Sequence, residues 1–175
     1  MTKAKVSSWQ EVELDAETRV TSDHHQSLRV WLRMLACTNL IGNHVRQRLM
    51  AQFGITLPRF DLMAQLERAP QGLKMGELTR RLMVTGGNVT GITEMLEEEG
   101  LVTRATDPAD QRAFRVRLTK AGEQQFQRMA TEHERWVVDL FDDLTVKQKT
   151  LLAELLTALK RSATQHLAAD GGPRS

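Results

Sequence analysis

Residues 75–119 constrain the fold more than any other part of the chain. They read MGELTRRLMVTGGNVTGITEMLEEEGLVTRATDPADQRAFRVRLT. Met75, Leu78 and Leu82 recur at helical spacing and predict a short helix. Met83 and Val84 make a turn, and the Thr85 hydroxyl is placed to cap a second helix that Gly100 ends. Val89, Ile92, Met95 and Leu96 are expected to face inward on it, with Asn88, Thr90 and Thr93 facing outward. Glu97, Glu98 and Glu99 lie in its last turn, where the helix dipole disfavours them. Residues 101–105 alternate as a strand and residues 114–118 pair back. Between them Asp107-Pro108-Ala109-Asp110-Gln111-Arg112 is rich in turn formers. The order is helix, turn, helix, hairpin.

The flanking segments are longer helices. Asp23 is a plausible cap for one in which Leu28, Trp31, Leu32, Leu35, Val45 and Leu49 recur. It is expected to run to Gln52 and stop at Gly54. At ~40 Å it is too long for one small core to cover its apolar stripe. Pro58 suits the first turn of the next helix, whose buried face is Phe60, Met63, Ala64 and Leu66. A turn at Pro70-Gln71-Gly72 leads to an edge strand at Leu73. Beyond the hairpin Thr119 caps another helix, where Gly122 permits a close approach. Phe126, Met129, Ala130, His133, Trp136, Val137, Leu140 and Phe141 keep its period. Thr145-Val146-Lys147-Gln148 is a capping-box pattern opening a last helix, with Leu151, Leu152, Leu155, Leu156 and Leu159 as its stripe.

These pieces predict a mostly α (α+β) fold, a winged helix-turn-helix held by a helical dimerisation lobe. Aromatic residues are only 5% of the chain, so the core is expected to be aliphatic. Stripes at both ends need covering, which points to a lobe built from the N- and C-terminal helices and shared with a second copy. The expected division is an N-terminal extension at 1–22, dimerisation helices at 23–54 and 120–167, a DNA-binding lobe at 55–119 and a disordered tail at 168–175.

Charge and cysteine usage narrow the function classes. A net charge of +2 neither demands nor excludes nucleic acid. Cys37 is the one cysteine, so no intramolecular disulfide forms. The first residues show no signal pattern and no run is long and apolar enough for a bilayer, so a cytoplasmic protein away from membranes is expected. His24 and His25 are adjacent, and His44, His133 and His166 are scattered, without zinc-ligand spacing. No nucleophile motif, phosphate loop or paired acid is present. We therefore expect no enzyme, cofactor or metal.

What remains points to double-stranded DNA. Thr85, Gly86, Gly87, Asn88, Thr90 and Thr93 are small or polar, which lets a helix N-terminus approach a groove. Asn88 is suited to adenine, and Thr90 or Thr93 to a base edge or thymine methyl. The wing carries Arg104, Arg112, Arg115 and Arg117, with Arg115 and Arg117 on one strand face. Arginine at a hairpin tip suits a narrow minor groove, and Asp110 is placed to orient one.

The run from Asp110 and Arg112 through Val116, Leu118 and Thr119 to Gly122 resembles the wing signature of the MarR family of bacterial transcriptional regulators. Met75-Gly76-Glu77-Leu78 and residues 96–102 are also typical, and the resemblance extends over about residues 28–167. It implies a homodimer on a pseudo-palindromic operator, with Arg112 in the minor groove and Asp110 as its buttress. It also implies a small-molecule effector in the crevice between the two lobes. Trp31, Cys37, Asn39, Asn43, Arg59, Phe60, Met63, His133 and Trp136 are the candidate lining, with Arg59 as anion anchor and the rings as stacking partners. Residues 35–41, 57–61 and 87–91 are similar to a branch controlling aromatic-acid breakdown, which implies a repressor released by an aromatic acid or aryl-CoA thioester. For the latter, Arg46, Arg48 or Arg59 would supply charge at the mouth. Two alternatives stay open: control by oxidation of Cys37, against which the chain has no tyrosine of the kind that supports such switches, and a winged helix that binds protein.

Overall fold

A computed structural model describes residues 25–82, 86–107 and 110–170, and for residues 110–113 and 170 the backbone alone. The extension at 1–22 and the caps expected from Asp23 and Thr85 lie outside the described residues. The chain divides into two compact units, Met1–Trp136 and Val137–Ser175.

The first unit opens with α1 (Gln26–Phe53), which ends as expected at Gly54. That glycine sits in the left-handed region at φ 65°, and its N–H donates to the Met50 carbonyl. Only Val45 and Leu49 of α1 are buried. Leu28, Trp31, Leu35 and Leu40 stay exposed within the chain. Then follow α2 (Leu57–Glu67), with Pro58 in its first turn, and β1 (Leu73–Lys74). Next come α3 (Met75–Leu82), α4 (Gly86–Glu98), β2 (Val102–Asp107) and β3 (Asp110–Leu118). The antiparallel sheet has the order β1-β3-β2, pairing Leu73 with Val116 and Val102 with Leu118. Its apolar side and the helices α2, α3 and α4 enclose one aliphatic core, which includes Leu62, Met63, Leu66, Leu78, Leu96 and Val116.

Helix α4 corrects one expectation. Its buried stripe is Val89, Ile92, Thr93 and Leu96, while Met95 is 49% exposed. The spacing 89, 92, 93, 96 is the i, i+3, i+4, i+7 stripe of an α-helix, and Met95 lies one residue off it. Thr93 tolerates the apolar side because its hydroxyl donates to the Val89 carbonyl one turn back, at 2.7 Å.

The sheet leads into α5 (Lys120–Leu140) through a tight junction. Thr119 caps it by accepting the Gly122 N–H at 3.0 Å, and the Thr119 N–H itself donates to the Leu101 carbonyl at 3.0 Å. A Cβ on Gly122 would lie 1.9 Å from that carbonyl oxygen, which is why glycine stands there.

The second unit continues α5 and adds α6 (Val146–Asp170). The capping box forms as the sequence predicts: Gln148 Oε1 accepts the Thr145 N–H at 2.8 Å, and Thr145 Oγ1 accepts the Gln148 N–H at 3.3 Å. Leu151, Leu152, Leu155, Leu156 and Leu159 are exposed. Helix α6 runs past 167, where a disordered tail was expected. Ala168 and Ala169 are strong helix formers, and the sequence supplies no break before Gly171.

Candidate nucleic-acid interface

The first turn of α3 is closed by a side chain. Glu77 Oε2 accepts the Lys74 N–H at 2.8 Å, the reach-back half of a capping box. That hydrogen bond, helped by the charges of Arg115, Arg81 and Arg80, holds the Glu77 carboxyl below its ordinary pKa. Helix α4 follows and exposes Asn88 and Thr90 on its N-terminal half. Thr93, expected among the base-reading residues, is fully buried and cannot reach a groove. Thr85 lies outside the described residues, and Gly86 and Gly87 open α4.

Arginines from other elements meet the acidic end of α4. Arg104 lies 3.1 Å from Glu97 and 3.8 Å from Glu94. Its guanidinium, expected from the sequence to serve DNA, is paired with the acidic side chains of α4. Arg59 pairs with Glu99. Two of the three consecutive glutamates, Glu97 and Glu99, awkward for an isolated helix, are thus anchors for cations supplied by the tertiary fold.

A second cluster sits at the base of the wing. Asp107 is 1% exposed and lies 3.1 Å from Lys74 Nζ and 2.9 Å from Arg115 Nε. Arg115 also donates to the Gly72 carbonyl at 3.1 Å. Arg115, expected from the sequence to serve DNA, clamps the hairpin to β1 and the turn before it. Arg117, on the same face of β3, is exposed. The sequence placed Asp107 only among the turn formers of the hairpin, although an acid closing the first strand beside so many arginines was a signal for this role. The side chains of Asp110 and Arg112 lie outside the described residues.

Beside α3 lies a cavity of about 400 Å³, walled by α2, α3 and α5. Phe60 stacks on Phe126 at 5.5 Å and meets His133 at 5.0 Å. Arg68 and Arg81 contribute cationic edges, and Asp61 contributes an acidic one. Partial burial raises the Asp61 carboxyl above its ordinary pKa, and the nearby His133 opposes the shift.

Of the residues expected around an effector, Phe60 and His133 line this cavity. Arg59 does not; it is 7% exposed and turned to Glu99, so it is unavailable as an anion anchor. Met63 is core, and Trp136 is buried against Phe53. Trp31, Cys37, Asn39 and Asn43 are exposed along α1 and do not line the cavity. The cations that do line it, Arg68 and Arg81, were missed because periodicity places both on solvated helix faces. Among the described residues no helix is long and apolar enough to cross a membrane.

Comparison with known proteins gives one consistent answer. The profile of the MarR family matches residues 53–113. A MarR family transcriptional regulator from Silicibacter pomeroyi is 31% identical, with a TM-score of 0.70 over 82% of this chain and 99% of that one. A MarR family transcriptional regulator from Streptomyces coelicolor, solved in complex with DNA, is 25% identical, with a TM-score of 0.70 over 82% of this chain and 90% of that one. The transcriptional activatory protein BadR of Rhodopseudomonas palustris is 26% identical over 140 residues, 76% of this chain and 79% of that protein.

Proposed function

Because the chain belongs to the MarR family of transcriptional regulators, we propose that it is a homodimeric repressor that leaves a pseudo-palindromic operator when an aromatic anion enters the cavity beside α3. The observation that carries the ligand half is the cavity itself. Three rings, those of Phe60, Phe126 and His133, stand near the guanidinium groups of Arg68 and Arg81. Rings stack on an aromatic body, and arginine binds a carboxylate in two-point fashion. Because Arg81 belongs to α3, the helix packed beside α4, an anion held there acts on the reading module directly.

The size of the cavity favours a free aromatic acid. An aryl-CoA thioester would place its aryl end inside and leave its nucleotide in solvent. Dimerisation is supported by apolar side chains left uncovered within the chain, Trp31 and Leu35 on α1 and Leu151, Leu155 and Leu159 on α6.

DNA contact is assigned to Asn88 and Thr90 in the major groove and to Arg112 in the minor groove, with Asp110 beside Arg112. Fluorescence anisotropy with the DNA upstream of the gene tests this reading. Arg112→Ala should weaken operator binding without dissociating the dimer, and should lower the slope of log affinity against log salt by about one. Wild-type affinity in that variant would overturn the wing assignment. Benzoate, hydroxybenzoates and their CoA esters, added to the protein–operator complex and to thermal melts, test the ligand class. Stabilisation by unrelated compounds alone refutes it. Retention of Cys37→Ser's response to every releasing compound would dismiss the oxidation alternative. A promoter fusion decides the sign of regulation, and the activatory relative makes lower reporter output on deletion of the gene the result that refutes repression.

A further inference from the structure

Helix α4 ends in three carboxylates, and two arginines from other elements hold that end: Arg104 from β2 and Arg59 from α2. The two are set differently. The Arg104 side chain is 28% exposed and reaches two glutamates, whereas that of Arg59 is 8% exposed and reaches Glu99, itself 48% exposed. Among the described residues Arg59 Nε is buried without a hydrogen-bond partner, as are Arg104 Nε and Nη2, so the two differ in exposure and in the number of glutamates they reach. A guanidinium buried in this way is a poor source of stability, since its desolvation offsets most of what its partner returns. It is instead sensitive to geometry, because the charge is compensated only while the last turn of α4 stays where Glu99 can meet it. The α2 end of the pair is well fixed. The N–H groups of Arg59 and Phe60 both donate to the Thr56 carbonyl at 3.1 Å, and Phe60 is buried against Phe126. Glu99 directly follows the last residue of α4, and its N–H still donates to the Met95 carbonyl at 3.2 Å, so the point held at Glu99 is tied to the helix that carries Asn88 near its other end.

We infer that Arg59 and Glu99 are a positioning pair that fixes the angle at which α4 offers Asn88 and Thr90 to a base edge. Neither side chain touches DNA; both act through the helix. The inference rests on α4 being the DNA-reading helix.

The test begins with an operator selected from random duplexes by the wild-type protein. Affinity for that operator and for a scrambled duplex of equal length is then measured for wild type, Glu99→Gln, Arg59→Met, Arg59→Lys and the double variant Arg59→Met/Glu99→Gln. Methionine keeps an apolar stem in the buried site, and thermal melts establish that each variant is folded. Each single variant should lower the ratio of operator to scrambled affinity ~10-fold, with scrambled affinity within ~2-fold of wild type, because backbone contacts are unaffected. Arg59→Lys should recover part of the ratio. The double variant should be no worse than the worse single one, since both remove one contact. A ratio unchanged in folded Glu99→Gln and Arg59→Met, or losses that add in the double variant, overturns the inference. Failure of the wild type to select any sequence is a separate outcome: it removes the reading assignment of α4, and the role of the pair falls with it.

Discussion

Replacing Gly122 by alanine attacks the junction between the sheet and α5. The new Cβ would stand 1.9 Å from the Leu101 carbonyl oxygen. No rotamer relieves the clash, because both partners are backbone and Cβ has no freedom of its own. Restoring an ordinary contact requires ~1.5 Å of backbone displacement in a packed interior that yields by far less. The displaced carbonyl accepts the Thr119 N–H, so one buried backbone hydrogen bond worth ~1 kcal/mol is weakened. Leu101 itself is 5% exposed, and moving it disturbs the core at an overpacking cost of ~1–3 kcal/mol. Against this, alanine in place of glycine within a helix returns ~1 kcal/mol. The net loss is ~1–3 kcal/mol, which for a domain of this size lowers the melting temperature by ~3–10 °C. Circular dichroism melts at one fixed protein concentration provide the assay, since an oligomer's midpoint depends on concentration. Gly76→Ala is the control. It lies in α3 with nothing within 4 Å of its Cβ, and should melt at or above the wild-type temperature. If Gly122→Ala melts within a degree of wild type, or Gly76→Ala loses as much, the reasoning from the close approach is wrong.

Thr93→Val should leave operator affinity within ~2-fold of wild type, whereas Asn88→Ala should weaken it ~10-fold, the value of one good base contact; anisotropy titrations that rank them the other way would return Thr93 to the groove. Asp107→Asn leaves Lys74 and Arg115 without the buried charge that holds them, at ~2–3 kcal/mol after allowance for their partial exposure. Hydrogen exchange should then quicken in β2 and β3, and unchanged protection would contradict the clamp. Glu77 has its folded pKa depressed, so its contribution is present above the ordinary carboxylate range and is lost as pH falls through the depressed value. Glu77→Gln should therefore melt earlier than wild type at neutral pH, with the gap closing in acid; a gap independent of pH would show that the charge plays no part.

Much of the architecture was legible because it is local. The stop at Gly54, the Thr119 cap, the Thr145–Gln148 box and the helix-turn-helix-hairpin order all follow from short-range patterns. So does the need for glycine at 122, although its reason, the Leu101 carbonyl, lies 21 positions away in sequence. Less of the candidate site could be read. Thr93 carries a polar side chain, yet its hydroxyl is satisfied within its own helix, so polarity gave the wrong face.

The arginines mark the boundary between the two kinds of information. From the sequence alone, the chain was bound to carry cations on and around an arginine-rich hairpin beside a helix with an unusually small, polar N-terminus. Composition and period determine that much. Which cations stay free for DNA is decided by where acids lie in space. Arg104 is drawn to Glu97 and Glu94, Arg115 to Asp107, and Arg59 to Glu99 across 40 residues. Charge attraction at contact distance does not depend on sequence separation, so no periodicity records it. Only the tertiary fold shows that these three arginines, each expected from the sequence at DNA or an effector, are paired with acids on or beside α4 and at the base of the wing.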